Sequence, residues 1–282
     1  MTVFYLISII LGVSFQSIAK KAFTKKTLGK DVFFFSFLTS LAAMVFFLVT
    51  SKGLQWNTGL ILYAVLFALS YVVSTVSGVY AITYGPLSLT SLIGSYSLMI
   101  PTFYGLIFLK DPVSFGLIPG LILLVISLFL INQKNVNAPI TLKWGIFIFV
   151  AFVGNGMCSV FQKMQQVKFD GAYKNEFMIL SLAIVVLLLS IFVIKKERKG
   201  IKSVTVSGWS LGLACGIANG IVNLFVMILS GIMSISLMFP MISAGGIIIT
   251  YLVSRFVYKE KLTRVQFVGF VIGIASVVFL NI

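Results

Sequence analysis

Asn219 and Asn223, with Gln16, Asn155 and Gln162, are carboxamides set inside apolar stretches of this 282-residue chain. A carboxamide donates and accepts hydrogen bonds without carrying charge, so such groups can bind a polar solute but do not titrate at neutral pH. Asn219 and Asn223 stand four apart, on one face of a helix. Hydroxyls add to the set: Ser88, Ser91, Ser95 and Thr102 recur at spacings of three, four and seven beside Tyr96, with Tyr71, Ser74 and Ser77 earlier and Ser236, Pro240 and Ser243 later. In hydrocarbon, polar rows of this kind face protein or a water-filled cavity. A single serine more often bonds back to its own helix or permits close packing, whereas an amide in lipid needs a partner. The expected substrate cavity is lined by Gln16, Tyr71, Ser74, Ser77, Ser91, Ser95, Tyr96, Asn155, Asn219, Asn223 and Ser243. Pro101 and Pro240 are hinge candidates, since each removes a backbone hydrogen bond.

Titrating groups are scarce. The chain has no histidine and six acids, Asp31, Asp111, Asp170, Glu176, Glu197 and Glu260, all at the ends of apolar runs or between them. Glu176 is the least implausible proton site, although an acid there also favours a helix N-terminus. The pair Lys110–Asp111 follows 57 consecutive uncharged residues, and Glu260 stands in a matching "YKEKLT" turn. Each acid is expected to cap the helix that follows it while the adjacent lysine stays at the headgroups, and Pro112 suits a first helical turn. Walker, Rossmann and histidine metal motifs are missing, and no catalytic dyad offers itself. The reading is not an enzyme, with no cofactor and no metal.

The elements that must position these residues follow from composition. Only 10% of residues are charged, against about 25% in a soluble domain, 60% are hydrophobic and the mean hydropathy is +1.13. A membrane helix needs roughly 20 apolar residues. Uncharged runs before Lys20 and over Val32–Ser51, Gly53–Leu109 and Pro112–Gln133 hold one, one, two and one spans; Trp144–Gln162, Phe177–Ile194, Ser203–Ser254 and Val265–Ile282 repeat that order. Ten transmembrane helices are expected. Stretches such as "ILSLAIVVLLLSIFVI" lack the alternation of a barrel strand, and "MTVFYLISIILGVSFQ" reads as a permanent first span, without the basic start or small-residue cleavage site of a signal peptide. Cys158 and Cys215 lie in apolar runs and read as small buried side chains. The net charge of +15 is spread over short loops without a nucleic-acid module, so no nucleic acid is expected.

The spans divide into residues 1–137 and 138–282, each a five-helix repeat. Gly12, Ser17 and Lys21 match Gly154, Ser159 and Lys163 at an offset of 142, while Lys110, Asp111, Gly120, Ser127 and Asn132 match Lys259, Glu260, Gly269, Ser276 and Asn281 at 149. An odd number of spans per repeat turns the second upside down relative to the first. Two inverted halves can exchange roles across the midplane, a basis for alternating access.

The ten-span organisation, the segment "YGPLSLTSLIGSYSLMIPTFYGLIFLKD" (84–111) and its counterpart "MSISLMFPMISAGGIIITYLVSRFVYKE" (233–260) resemble the EamA-like branch of the drug/metabolite transporter superfamily. The resemblance implies an all-α polytopic membrane protein of ten transmembrane helices in two inverted five-helix repeats. It further implies transport of small metabolites, amino acids or amphipathic drugs. Small multidrug members use a carboxylate deep in their first helix for proton exchange; here Gln16 stands in span 1, which argues against carboxylate coupling. A charge-free lining suits a small neutral or zwitterionic metabolite such as an amino acid, moved outward. The alternatives are a multidrug exporter and a lipid scramblase or structural membrane protein. The expected partners are the small-molecule substrate and the bilayer, with no oligomeric partner required.

Loops after spans 1, 3, 5, 7 and 9 hold 16 of the 21 lysines and arginines, including Lys20 and Lys21, and the other side holds Lys52, Lys110, Lys163, Lys168 and Lys174. Since the basic side faces the cytoplasm, the protein is expected in the cell membrane with both termini extracytoplasmic. A cysteine placed at Ile282, in a background lacking Cys158 and Cys215, should react with an impermeant maleimide in intact cells. Reaction only after the inner face is opened would reverse the orientation.

Overall fold

The computed structural model describes residues 1–27, 31–84, 93–94, 96–131, 141–197, 208–256 and 263–280. Among them ten α-helices follow in order: α1 (Thr2–Thr27), α2 (Val32–Thr50), α3 (Leu60–Tyr84), α4 (Met99–Phe108), α5 (Leu117–Ile131), α6 (Leu142–Lys168), α7 (Lys174–Phe192), α8 (Trp209–Ile232), α9 (Ile235–Phe256) and α10 (Arg264–Leu280). A π turn, Val193–Glu197, continues α7. Six of these, α1, α2, α3, α6, α7 and α8, are long and apolar enough to cross a membrane; α4, α5, α9 and α10 contribute shorter apolar helices. Long uninterrupted helices are what hydrocarbon selects, because every peptide N–H and C=O must be satisfied within the segment.

The distribution of side chains inverts that of a water-soluble protein. On α5, Ile118, Ile122, Ile126 and Phe129 are exposed at helical spacing while Ser127 is fully buried; on α10, Phe267, Val271, Ile274 and Val278 are exposed and Ser276 is buried. Outward apolar stripes over buried hydroxyls suit a lipid solvent. The chain is an all-α, multi-pass membrane protein.

Two compact units form: Met1–Val76 with Phe161–Gly231, and Ser77–Val160 with Ile232–Ile282. Both take chain from each sequence half, and α3 and α6 contribute to both.

In the first unit, α2 and α7 run antiparallel and are tied at both ends by carboxylates. Glu197 accepts hydrogen bonds from the N–H groups of Phe33 (3.0 Å) and Phe34 (2.7 Å), and Glu176, in the first turn of α7, accepts one from Gln55 N–H just past α2 (2.9 Å). Asp31, at the N-cap of α2, has a left-handed backbone (φ 59°) and makes no capping bond with its side chain. The orphan N–H groups of that helix are met instead by an acid distant in sequence. Charge-assisted bonds of this type contribute about 1.5–3 kcal/mol each. Against α2 lies the glycine row of α8: a Cβ on Gly212 would stand 2.6 Å from Leu38, on Gly216 2.4 Å from Ala42 and 2.6 Å from the Thr39 carbonyl, and on Gly220 2.5 Å from Phe46. Three glycines four apart let the two backbones approach closely.

In the second unit, α5 and α10 pair through reciprocal bonds. Ser127 Oγ donates to the Gly269 carbonyl (2.7 Å), and Ser276 Oγ donates to the Gly120 carbonyl (2.8 Å). Because the later residue of each helix meets the earlier residue of the other, the helices are antiparallel. Leu117, Leu121 and Leu280 pack beside them.

Asp111 does cap a helix, but not the one that follows it. Its Oδ2 accepts from Ser236 N–H in the first turn of α9 (3.1 Å), while its own N–H donates to the Gly105 carbonyl (3.0 Å). The chain folds back so tightly there that a Cβ on Gly105 would stand 2.6 Å from the Asp111 carboxylate and 2.7 Å from Ile235. The carboxylate is thereby turned toward α9. Glu260, its sequence counterpart, lies outside the described residues.

Gly216→Ala should lower the thermal midpoint of the detergent-purified protein, since overpacking of this kind costs about 1–3 kcal/mol. Gly145→Ala, where a Cβ meets nothing within 4 Å, should leave it unchanged or raise it. Equal midpoints for the two variants would remove the close α2–α8 contact.

Candidate functional site: a chain of carboxamides

Helices α1 and α8 lie against each other in antiparallel register. Tyr5 meets Phe225 (ring centroids 4.9 Å apart), the Cα of Gly12 faces Val222 so closely that a Cβ would stand 2.4 Å from its methyl group, and Ala19 and Phe23 pack with Cys215. Gln16 and Asn219 fall midway along that seam and meet there: Asn219 Nδ2 donates to Gln16 Oε1 at 3.0 Å. One turn along α8, Asn223 Nδ2 donates both to Asn219 Oδ1 (3.0 Å) and to the Asn219 backbone carbonyl (2.8 Å). From α6, Gln162 Nε2 donates to Asn223 Oδ1 (2.8 Å) and lies 3.8 Å from Met178 Sδ. Four side chains from three helices thus form one continuous line of hydrogen bonds.

Its direction is fixed by a single atom. The Asn219 backbone carbonyl can only accept, so Asn223 must turn its nitrogen toward it. Asn223 Oδ1 is then left for Gln162, and each amide in turn follows. The carboxamide dipoles are aligned, an arrangement in which successive bonds strengthen one another.

Gln16 is residue 15 of 26 in α1, and Asn219 and Asn223 are residues 11 and 15 of 24 in α8. At ~1.5 Å of rise per residue each lies within about 5 Å of its helix midpoint. All three are half-buried, and Gln162 is buried. In the second unit Asn155, residue 14 of 27 in α6, is exposed and donates to Ser97 Oγ at 2.5 Å. Ser97 Oγ in turn donates to the Gly94 carbonyl (2.7 Å) at the turn before α4. Small size is required at the next position: a Cβ on Gly156 would be 2.7 Å from the Ser97 carbonyl.

The remaining sequence candidates are dispersed. Tyr71 is half-buried, its ring stacked near Phe67 and packed beside Val72, Val185 and Leu189. Tyr96 donates its hydroxyl to the Val125 carbonyl (3.1 Å) and packs on Leu124, Leu128 and Ala244, so its polar tip is engaged by α5. Ser74 is half-buried; Ser77 and Ser243 are buried. Ser88, Ser91 and Ser95 lie outside the described residues. Pro101 occupies the first turn of α4, where a missing N–H breaks no helical bond. Pro240 stands inside α9, which continues through it. The Glu176 carboxylate is 8% exposed and occupied by Gln55 N–H.

Lys163 corrects the reading of a loop charge. It lies inside α6, is 9% exposed, and donates from Nζ to the Ser230 carbonyl at 2.5 Å, two residues before the end of α8. A cation at a helix C-terminus is favoured by the helix dipole. Lys20 likewise falls within α1. Sequence reasoning did not single out Ser97, and no spacing or composition cue marks it. In the sequence Glu197 stands in the charged run "KKERKG", which marks a span end and gives no cue to the helix it caps.

No protein-family model matches the sequence, and no curated protein does. Solved structures do match: a crystal structure of a protein superposes with a TM-score of 0.80 over 99% of this chain and 95% of its own, at 11% identity. At that identity the likeness establishes a shared fold.

A double-mutant cycle on Gln162→Leu and Asn223→Leu, read by thermal or denaturant stability in detergent, should give a coupling of about 0.5–1.7 kcal/mol, the range of hydrogen bonds between membrane helices. Additive losses would mean the two amides do not pair.

Proposed function

We propose that the protein is a transporter of the EamA-like, drug/metabolite type that moves a small neutral or zwitterionic metabolite, such as an amino acid, out of the cell by alternating access. The observation that carries this reading is the set of three half-buried carboxamides near mid-helix, Gln16, Asn219 and Asn223, in a line that continues to the buried Gln162. An amide facing lipid at that depth leaves hydrogen-bonding groups unsatisfied at a cost of about 2–7 kcal/mol. Partly accessible amides there suit a water-filled cavity, and their lack of charge suits a solute without excess charge. Asn155, exposed at the middle of α6, supports the same reading from the other unit.

Ten crossings in two inverted five-helix repeats are part of the proposal. Helices α2 and α7 are 19 residues each, displaced by 142 positions at both ends, and each follows a left-handed non-glycine residue, Asp31 (φ 59°) or Tyr173 (φ 58°). Leu60 and Trp209 open α3 and α8 149 positions apart, and Ile131 and Leu280 close α5 and α10 at the same separation. The reciprocal serine bonds support inversion most directly: Ser127 and Gly120 map onto Ser276 and Gly269 under that displacement, and the two helices that carry them are antiparallel. Self-matching contact of this type is what a twofold axis generates. The extracytoplasmic placement of both termini belongs to the same reading.

Metabolite profiling of cells with and without the protein, followed by proteoliposome flux of each compound that changes, tests the proposal. Flux should fall at least tenfold in Asn223→Ala, and Glu176→Gln should retain it with or without an imposed pH gradient, because that carboxylate ties α7 to the chain after α2. Abolition of a gradient-driven flux by Glu176→Gln would assign proton coupling to that acid. Undiminished flux in Asn223→Ala would remove the carboxamide line from the pathway.

A further inference from the structure

A directional line of amides has two different ends, and only one of them is a donor. Gln16 Oε1 is occupied by Asn219, so the terminal –NH2 of Gln16 faces away from the line with two N–H donors and no partner among the described residues. The orientation does not depend on choosing between oxygen and nitrogen at each amide separately, because the Asn219 backbone carbonyl sets all four. Gln16 is half-buried, at the middle of α1. The end of the line is therefore a pair of N–H donors, polarised by the three amides behind it. That combination complements an oxygen anion.

We infer that Gln16 binds the carboxylate of a small-molecule solute, which on the reading above is the one transported. The assignment rests on the transport reading and narrows it, from neutral or zwitterionic compounds to those that carry a carboxylate. The opposite end of the line is of opposite polarity: Gln162 Nε2 is engaged by Asn223 and Met178, which leaves its Oε1 as the acceptor. Reversing the Gln16 end should therefore reverse selectivity, which loss of packing at Gln16 would not do.

The probes are matched triplets: each of the common amino acids, its carboxamide, and the amine left after removal of the carboxylate. Binding is read by thermal stabilisation of the purified full-length protein and by competition among the members of a triplet. For the parent protein, at least one amino acid should bind tenfold or more tightly than its own amide and amine. Gln16→Glu preserves the side-chain shape and the oxygen that Asn219 needs. At alkaline pH, where the new carboxyl is ionised, acids should lose at least tenfold in affinity while the matched amines hold or gain. If Gln16→Glu does not fold, Gln16→Met keeps the length without the donors, and acids should weaken there with amines unchanged. Acids, amides and amines binding the parent alike, no acid of the panel binding at all, or unchanged acid affinity in the folded variant would each overturn the assignment. Flux is scored separately. Carboxylates that bind at Gln16 without being carried remove the transport reading and leave the assignment. Carboxylate-free compounds that are carried, with flux lost in Asn223→Ala, do the opposite.

Discussion

A polar group placed in hydrocarbon must find its partner inside the protein, because no water is there to supply one. That constraint explains the placement of nearly every hydrogen bond outside the helix ladders. Ser36, Ser40, Thr102 and Ser190 return their hydroxyls to carbonyls of their own helices. Ser127 and Ser276 go across to the facing helix instead. The amides, too long and too demanding to be satisfied on their own helix alone, are drawn together across α1, α6 and α8. Packing follows from the same rule: with apolar side chains as well solvated by lipid as by each other, helices associate where glycine lets backbones touch, and α8 meets α2 along Gly212, Gly216 and Gly220.

Acids obey it at the helix ends. Asp111 and Glu197 accept from backbone N–H groups in the first turn of a helix, Glu176 accepts from one in the chain after α2, and each reaches a different segment to do so. They hold α9, the start of α2 and the chain after α2 respectively. Three of the six carboxylates of this basic chain thus join segments distant in sequence.

Fold class was legible because charge is so costly in lipid that its positions mark the span ends, and helix α2 of the structure begins and ends within a residue of the run Val32–Ser51. The lengths of α1 and α6 were less legible: Lys20 and Lys163 lie inside helices, since a helix continues past the last apolar residue when its lysines can reach a polar partner or the headgroups. Of the site, the amides were readable because an amide in an apolar run has few tolerable fates. Their pairing across three helices was not, since Gln16 and Asn219 are joined by the packing of α1 on α8 and by nothing in their spacing. Asp111 illustrates the same limit. Its capping role follows from its position before a helix, but the recipient depends on how tightly Gly105 lets the chain turn back.

The two serine bonds between α5 and α10 carry a consequence for how such a contact can arise. Donor and acceptor are the same two residue types on both helices, so the face formed by one helix is complementary to itself turned end over end. A chain carrying only the Gly120-to-Ser127 face would already present everything needed to bind a copy of itself, and a single change on that face would be felt twice. With both faces carried on one chain, the contact is internal and needs no encounter between molecules.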